Sequence, residues 1–278
     1  MVKAANWLGH LQFDLDSPIF RHLTRELSRY NEYVRYDDRG CGLSDRDVKS
    51  STFQDWVDDL ESIVDSAGLE KFALLGISQG GAVSIAYAAR HPGRVSHLIL
   101  YGASALGWSK IHTSPAEQEE GFAMLTLTKA GWGKDNPVYR QIFTSLFVPG
   151  GTPEQASWFN ELMRKSTSPE TAVRYLMEFA QIDVLDQLDK VSAPTLVIHT
   201  RGDQVNRFED GRDLATLIRG AHFIPLESKN HILLEDEPAW KDFLAETRRF
   251  LGVKETGPEP SPKGKELGVK AWLRGPKK

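Results

Sequence analysis

Short apolar runs alternate along the chain with longer segments whose apolar residues recur at helical spacing. The short runs are rich in Val, Ile, Leu and Tyr, as is typical of buried strands. They predict strands at 1–5, 33–36, 72–77, 97–101, 195–200 and 222–226. The longer segments predict helices at 18–30, 53–67, 79–90 and 238–251. Alternation of strands and helices favours an α/β fold with a mostly parallel, doubly wound sheet.

The interval between the strand that ends near Tyr101 and the one that begins at Thr195 is much longer than a crossover connection requires. It contains four further helical patterns, at 116–130, 137–147, 153–164 and 169–182. We therefore predict a core formed by 1–108 and 186–252, with a helical cap at 109–185 inserted after the strand near 97–101. We expect most apolar side chains of the cap to form its own core and a minority to line a pocket.

Composition and charge disfavour nucleic-acid-binding and membrane proteins. The net charge of -4 over 278 residues gives no reason to expect a nucleic-acid partner. The longest apolar stretch is interrupted by polar residues and glycines, so we expect no membrane insertion. Cys41 is the single cysteine, which favours a reducing, cytoplasmic location, and we interpret it as a small turn residue. The segment 253–278 is rich in Pro, Gly and Lys and predicts a flexible basic tail.

The pattern Gly-x-Ser-x-Gly occurs where the predicted strand at 72–77 meets the predicted helix at 79–90. In this context the sharp turn forces the serine backbone into a strained conformation and projects its hydroxyl above the sheet. Glycines flank the serine because a Cβ there would strike a neighbouring element. Ser78 is therefore the candidate nucleophile, and the alternative is a glycine-rich turn with an incidental serine.

A serine nucleophile needs a histidine as base and a carboxylate that orients the histidine. The chain order Ser, Asp, His at the ends of successive strands points to Asp203 after the strand at 195–200 and His231 after the strand at 222–226. Asp210 is the rival carboxylate, in or near the following helix. His199 lies inside a predicted strand, so we expect it to be structural.

An oxyanion site needs two backbone N–H groups, one of them from the residue after the serine. These groups are assigned to Gln79 and, by register in the loop after the first strand, to Trp7. Asn6 and His10 are candidate substrate contacts, although simple packing beneath the cap explains Trp7 and His10 equally well. The sequence has no metal-binding or nucleotide-binding motif, so we expect neither a metal nor a cofactor.

These motifs together resemble the α/β-hydrolase superfamily over roughly 1–251, and the segments 5–11 and 34–45 look like a bacterial esterase-like branch. Members of the family usually begin with two antiparallel strands that this chain does not show. The strand at 33–36 would then be an edge strand, and an uncovered edge favours a homodimer. Either the protein tolerates their absence, or the tail or a second subunit covers the exposed edge, or the native start lies upstream of Met1.

The resemblance implies a serine hydrolase that cleaves small to medium acyl or aryl esters through an acyl-enzyme intermediate. Lactones, thioesters, C–C bonds and perhydrolysis are alternatives that the residues leave open. Some relatives are fused to nucleotide cyclases or transcription regulators, which keeps a slow-turnover ligand sensor as a further hypothesis. The third hypothesis, an interaction protein with a decayed site, is disfavoured because Ser78, Asp203 and His231 are all present.

Overall fold

A parallel β-sheet forms the centre of the protein in a computed structural model that describes residues 1–111 and 114–253. Its strands are β1 (Val2–Lys3), β2 (Phe72–Ile77), β3 (Val95–Tyr101), β4 (Thr195–Thr200) and β5 (His222–Leu226). They lie side by side in chain order, and each neighbouring pair is parallel. The predicted tail at 253–278 lies outside the described residues from 254 onward.

The helices follow the predicted pattern closely. The α-helices of the described residues are α1 (Arg21–Ser28), α2 (Phe53–Ser66), α3 (Gln79–Arg90), α4 (Trp108–Ile111), α5 (Pro115–Gly131), α6 (Val138–Phe147), α7 (Pro153–Ser166), α8 (Pro169–Gln181), α9 (Phe208–Leu217) and α10 (Pro238–Phe250). Short 3₁₀ helices span Phe13–Asp16 and Leu185–Lys190. Helix α4 was not predicted, because one turn is too short to show a periodicity. Within the same residues, no helix is both long and apolar enough to cross a membrane.

Neighbouring residues of the strands pack on opposite faces of the sheet. Leu74 and Leu98 belong to the buried cluster that includes α2 and α3, whereas Leu75 and Ile99 belong to the cluster that includes α1 and α10. This division follows from the alternation of side chains along a strand. Apolar residues on both faces, each covered by helices, make the sheet doubly wound, which confirms the predicted fold class.

The predicted strand at 33–36 is reduced to a single parallel bridge between Val34 and Val2. The Val34 N–H donates to the Met1 carbonyl at 2.9 Å, and the Lys3 N–H donates to the Val34 carbonyl at 3.0 Å. Beyond this bridge the chain turns away, and the Asp37 carboxylate accepts hydrogen bonds from loop amides instead. The Asp37 side chain therefore binds loop amides where the apolar pattern predicted continued pairing with the first strand.

Helices α4 to α8 lie between β3 and β4 in the chain and cover the sheet edge above Ser78. A stack of aromatic rings joins them to the core. Trp7 stacks on Trp132 with ring centroids 5.2 Å apart, and Trp56 stacks on Tyr175 at 4.8 Å. Buried aromatic pairs of this kind contribute beyond their buried area, so the cap helices are held firmly over the loop that carries Trp7.

Candidate active site

Ser78 occupies a strained turn between β2 and α3. Its backbone has φ 51° and ψ −125°, and it is the only residue other than glycine with positive φ among the described residues. The Ser78 N–H donates to the Tyr101 carbonyl at 2.9 Å, and its carbonyl accepts from the Gly81 N–H at 2.8 Å. A strained serine at the junction of a strand and a helix is the geometry of a nucleophile elbow.

The glycines around the turn are required by close packing. A Cβ on Gly76 would lie 2.7 Å from the Gly80 carbonyl oxygen, and one on Gly81 would lie 2.4 Å from the Ala103 Cβ. Both distances are shorter than normal contacts allow. The sequence therefore needs glycine here to let helix α3 approach the sheet, and the approach sets the position of Ser78.

Asp203 and His231 form a buried pair at the carboxyl end of the sheet. The His231 Nδ1 lies 2.7 Å from the Asp203 Oδ2, and the two side chains are 1% and 0% exposed. An ionised carboxylate only accepts hydrogen bonds, so Nδ1 is the donor and Nε2 is the nitrogen left to accept a proton. The rival Asp210 lies on α9 and pairs with Arg207.

Several donors converge on the Asp203 carboxylate. The Val205 and Asn206 N–H groups donate to its Oδ1 at 2.8 and 3.1 Å. The His199 Nε2 donates to the Asn206 carbonyl at 3.1 Å and also lies 3.4 Å from the Asp203 Oδ2. Burial acts to raise the pKa of Asp203, but the interactions with His231 and His199 outweigh burial and lower the pKa below its usual range. Asp203 is therefore held as a carboxylate that can orient His231.

His231 is fixed in place by the cap as well as by Asp203. Its backbone N–H donates to the Phe147 carbonyl at 2.9 Å, and the two rings meet edge to face at 5.1 Å. Its Nε2 is buried and makes no hydrogen bond to any residue that the structure describes. His231 and Ser78 line the same small cavity. The Nε2 of His231 is therefore the candidate base for the serine hydroxyl.

The backbone amides of Gln79 and Trp7 are the predicted oxyanion donors. Both residues line the cavities next to Ser78. Neither N–H donates a hydrogen bond within 1–111 and 114–253. Two amides without an acceptor beside a nucleophile are suited to bind a developing negative charge.

Two cavities meet at Ser78. The larger has a volume of about 390 Å³ and opens beneath the cap. Its walls are mainly apolar and aromatic, and they include Trp108, Met124, Leu125, Phe143, Leu146 and Phe179. The smaller has a volume of about 70 Å³ and lies toward β1. Its lining is mainly apolar but also includes the polar side chains of Lys3, Asn6, Asp14 and Arg35.

The structure separates the two candidate substrate contacts. Asn6 lines the smaller cavity, where its Nδ2 donates to the Ile77 carbonyl at 2.8 Å. His10 lines neither cavity at Ser78, because its Nδ1 accepts a hydrogen bond from the Phe13 N–H at 3.2 Å. The His10 ring therefore binds the first N–H of the short helix Phe13–Asp16. The prediction that it contacts substrate has no support from its position.

Sequence reasoning missed three polar residues near the site. His199 was interpreted as a structural residue of a strand, yet it lies against the catalytic-carboxylate candidate Asp203. No sequence motif points to Asp14, whereas Lys3 carries a signal, because a lysine within an apolar strand is unusual. Within the described residues, no group of three or more His, Cys, Asp or Glu side chains is arranged to hold a metal ion.

Comparison with known proteins places the chain among related sequences and structures. A family profile described as alpha/beta hydrolase fold matches residues 9–238. The chain is 28% identical over 222 residues to the AB hydrolase superfamily protein YisY of Bacillus subtilis (strain 168), covering 78% of this chain and 81% of the relative. It is 29% identical to the non-heme chloroperoxidase CPO-A1 of Kitasatospora aureofaciens, over 71% of this chain and 74% of the relative.

Solved structures show the same fold. The esterase EaEST from Exiguobacterium antarcticum superposes with a TM-score of 0.76 at 24% identity, covering 90% of this chain and 91% of that one. At this identity the likeness concerns the fold alone.

Proposed function

Since the chain belongs to the alpha/beta hydrolase fold family, we propose that it is a serine hydrolase that cleaves carboxylic esters through Ser78, His231 and Asp203. One observation carries the proposal. A strained serine and the free Nε2 of an aspartate-bound histidine line one cavity, and two amides without acceptors lie beside them. This set supplies the nucleophile, base, orienting carboxylate and oxyanion donors that acyl transfer needs.

The first half-reaction forms the acyl-enzyme. The Ser78 Oγ attacks the ester carbonyl carbon while the His231 Nε2 takes its proton, and the Gln79 and Trp7 amides bind the oxyanion. The tetrahedral intermediate then collapses. The bond from carbon to the leaving oxygen breaks, and His231 returns the proton to the departing alcohol. Asp203 stabilises the imidazolium that exists between the two transfers.

The second half-reaction releases the acid. Water attacks the acyl carbon and gives a proton to the His231 Nε2, and the bond from the carbon to the Ser78 Oγ then breaks as Oγ regains a proton. No other reactant is needed for this cycle. The same acyl-enzyme forms from a lactone or a thioester, so these substrates belong in the test.

The larger cavity supports a substrate with a small or medium apolar acyl or aryl group. Its volume of about 390 Å³ is at the lower end of typical ligand pockets. Trp108, Phe143 and Phe179 provide aromatic walls, and Met124 and Leu125 provide a flexible aliphatic side. Binding there rests mainly on apolar contact, and the carboxylates of Glu117 and Glu120 in the same walls disfavour an anionic acyl group.

A substrate panel with a covalent probe tests the proposal. Wild type, Ser78→Ala and the control Ser62→Ala, which changes a half-buried serine of α2, are assayed with p-nitrophenyl esters, lactones and thioesters. A fluorophosphonate should label wild type and Ser62→Ala at Ser78, and Ser78→Ala should lose about 10⁴ to 10⁶ in turnover. Labelling at another residue, or an active Ser78→Ala protein, would exclude Ser78 as the nucleophile.

A further inference from the structure

Most of the lining of the smaller cavity at Ser78 is apolar, but its walls also contain the charged side chains of Lys3, Asp14, Arg35 and Asp37, and its size closes it to an acyl chain. It begins at Ser78, Gln79 and His231 and extends toward Lys3 and Asp14. Its volume of about 70 Å³ compares with the roughly 30 Å³ that one water occupies in the liquid. We call it the polar chamber. It lies on the β1 side of Ser78, whereas the larger apolar cavity lies beneath the cap.

The polar chamber contains hydrogen-bonding capacity that the protein does not use. The Lys3 Nζ donates to the Asn6 Oδ1 at 2.5 Å and to the Ala4 carbonyl at 3.2 Å, and an ammonium has a third N–H. Asp14 is 4% exposed, and its Oδ1 is buried without a hydrogen-bond partner in the described part of the chain. Its Oδ2 accepts from Arg35.

These groups select a small neutral ligand that both donates and accepts. A buried carboxylate oxygen without a donor is costly, so a ligand O–H that bonds it is favoured. The positive charges of Lys3 and Arg35 are balanced by the negative charges of Asp14 and Asp37 in the same walls, so the chamber has no net preference for a cation or an anion. Burial lowers the pKa of Lys3 to about 8 and raises that of Asp14 to about 6, so both groups remain mainly charged at neutral pH. Water meets all of these requirements.

Asn6 connects the polar chamber to the reacting serine. Its Oδ1 accepts from Lys3, and its Nδ2 donates to the carbonyl of Ile77, the residue that precedes Ser78. The chamber also reaches His231, whose Nε2 is the proposed base. A water held in this position can approach an acyl group on Ser78 from the side that the apolar cavity leaves free.

We propose that the polar chamber binds and delivers the water that hydrolyses the acyl-enzyme, with Lys3, Asn6 and Asp14 as positioning residues. The inference rests on the proposed serine-hydrolase function. The water oxygen bonds to the acyl carbon, one water proton passes to the His231 Nε2, and the bond from that carbon to the Ser78 Oγ breaks. The proton on His231 then returns to Oγ.

Competition between water and a larger alcohol tests this assignment. Wild type, Lys3→Met and Asp14→Asn are given p-nitrophenyl butyrate together with 1-hexanol, whose chain is too long for the polar chamber and must enter through the apolar cavity. The ratio of hexyl butyrate to butyric acid is measured by gas chromatography. The pre-steady-state burst of p-nitrophenol gives the acylation rate separately.

We expect both variants to raise the ester-to-acid ratio about tenfold, the effect of one lost positioning hydrogen bond, with the burst rate nearly unchanged. The matched control is Met124→Ala, whose side chain lines the apolar cavity. It should change the burst rate without reproducing the tenfold rise in the ester-to-acid ratio. An ester-to-acid ratio that stays at the wild-type value in both variants overturns the proposal. A burst rate that falls in parallel with hydrolysis also overturns it, because that result would show that Lys3 and Asp14 have only a structural role.

A second measurement uses wild type alone and so does not depend on how well the variants fold. In a high-resolution crystal structure of the phosphonate adduct, an ordered water should lie within hydrogen-bonding distance of the Asp14 Oδ1. A chamber without ordered solvent there contradicts the proposal. The two hypotheses fail differently: absence of any burst in wild type contradicts the hydrolase function, whereas a normal burst with an unchanged product ratio contradicts only the water site.

Discussion

The His231 Nδ1 donates a 2.7 Å hydrogen bond to the Asp203 carboxylate where neither side chain is more than 1% exposed. In such a water-excluded place, a charge-assisted hydrogen bond is short, strong and costly to break. It fixes the tautomer of His231, and with it the nitrogen that is free to act as a base. The catalytic role that we propose for His231 therefore depends on the Asp203 carboxylate.

Asp203→Asn should lower kcat by about 10⁴, because an asparagine amide can donate to Nδ1 and hold the wrong tautomer of His231. The measurement is steady-state hydrolysis of p-nitrophenyl butyrate, with circular dichroism as a check on folding. Asp210→Asn is the matched control, since Asp210 pairs with Arg207 at the start of α9 and does not contact His231, and its activity should stay near wild type. A folded Asp203→Asn protein with most of its activity would contradict the role assigned to Asp203.

His199→Phe should lower kcat by about tenfold. It removes an imidazole whose Nε2 donates to the Asn206 carbonyl and lies 3.4 Å from the Asp203 Oδ2, and so leaves the carboxylate less well oriented. His199→Gln places an N–H near the position of the original Nε2 and should restore most of the activity. The two variants are compared by their pH profiles of kcat/KM, which a role in packing alone would not move. Equal losses in both variants would show that His199 only fills space.

The apolar cavity should set the preference for acyl chain length. Wild type should hydrolyse a butyrate ester faster than a palmitate ester, because a cavity of about 390 Å³ encloses only a limited acyl group. Met124→Ala removes one wall and should move the optimum to longer chains. Met177→Ala is the control, since Met177 is 57% exposed on α8. A palmitate preference in wild type would argue against a closed acyl site.

Lys3 should make stability depend on pH in the alkaline range. Its folded-state pKa of about 8 lies below the ordinary 10.5 because the half-buried ammonium is desolvated. Between these values the unfolded chain keeps a proton that the folded chain has lost, so stability rises with pH. From pH 8 to 10.5 the free energy of unfolding of wild type should rise relative to Lys3→Met by about 2 kcal/mol, after allowance for partial exposure.

Urea unfolding of the two proteins at a series of pH values measures this difference, because other titrating groups are common to both. A constant difference between wild type and Lys3→Met across the range would mean that the Lys3 ammonium is not destabilised by burial.

The sequence determined the fold class and the position of the candidate nucleophile. Strands and helices were readable because the period of apolar residues along a segment follows from the geometry of that segment alone. Gly76, Ser78 and Gly81 were identifiable for a related reason, since a sharp junction of strand and helix needs glycine at fixed local spacing. The order of strands also placed Asp203 and His231 at one end of the sheet.

Only the tertiary structure decided what surrounds these residues. Val34 pairs with Val2 at one bridge because loop contacts draw the following residues away. His199 reaches Asp203, and Lys3 and Asp14 share a chamber with Ser78, although no local pattern connects them. Contacts between distant segments depend on how whole elements pack, and packing depends on the shape of every side chain between them. Only the fold therefore showed which residues form the walls of the site, whereas its candidate reacting groups could be predicted from the sequence.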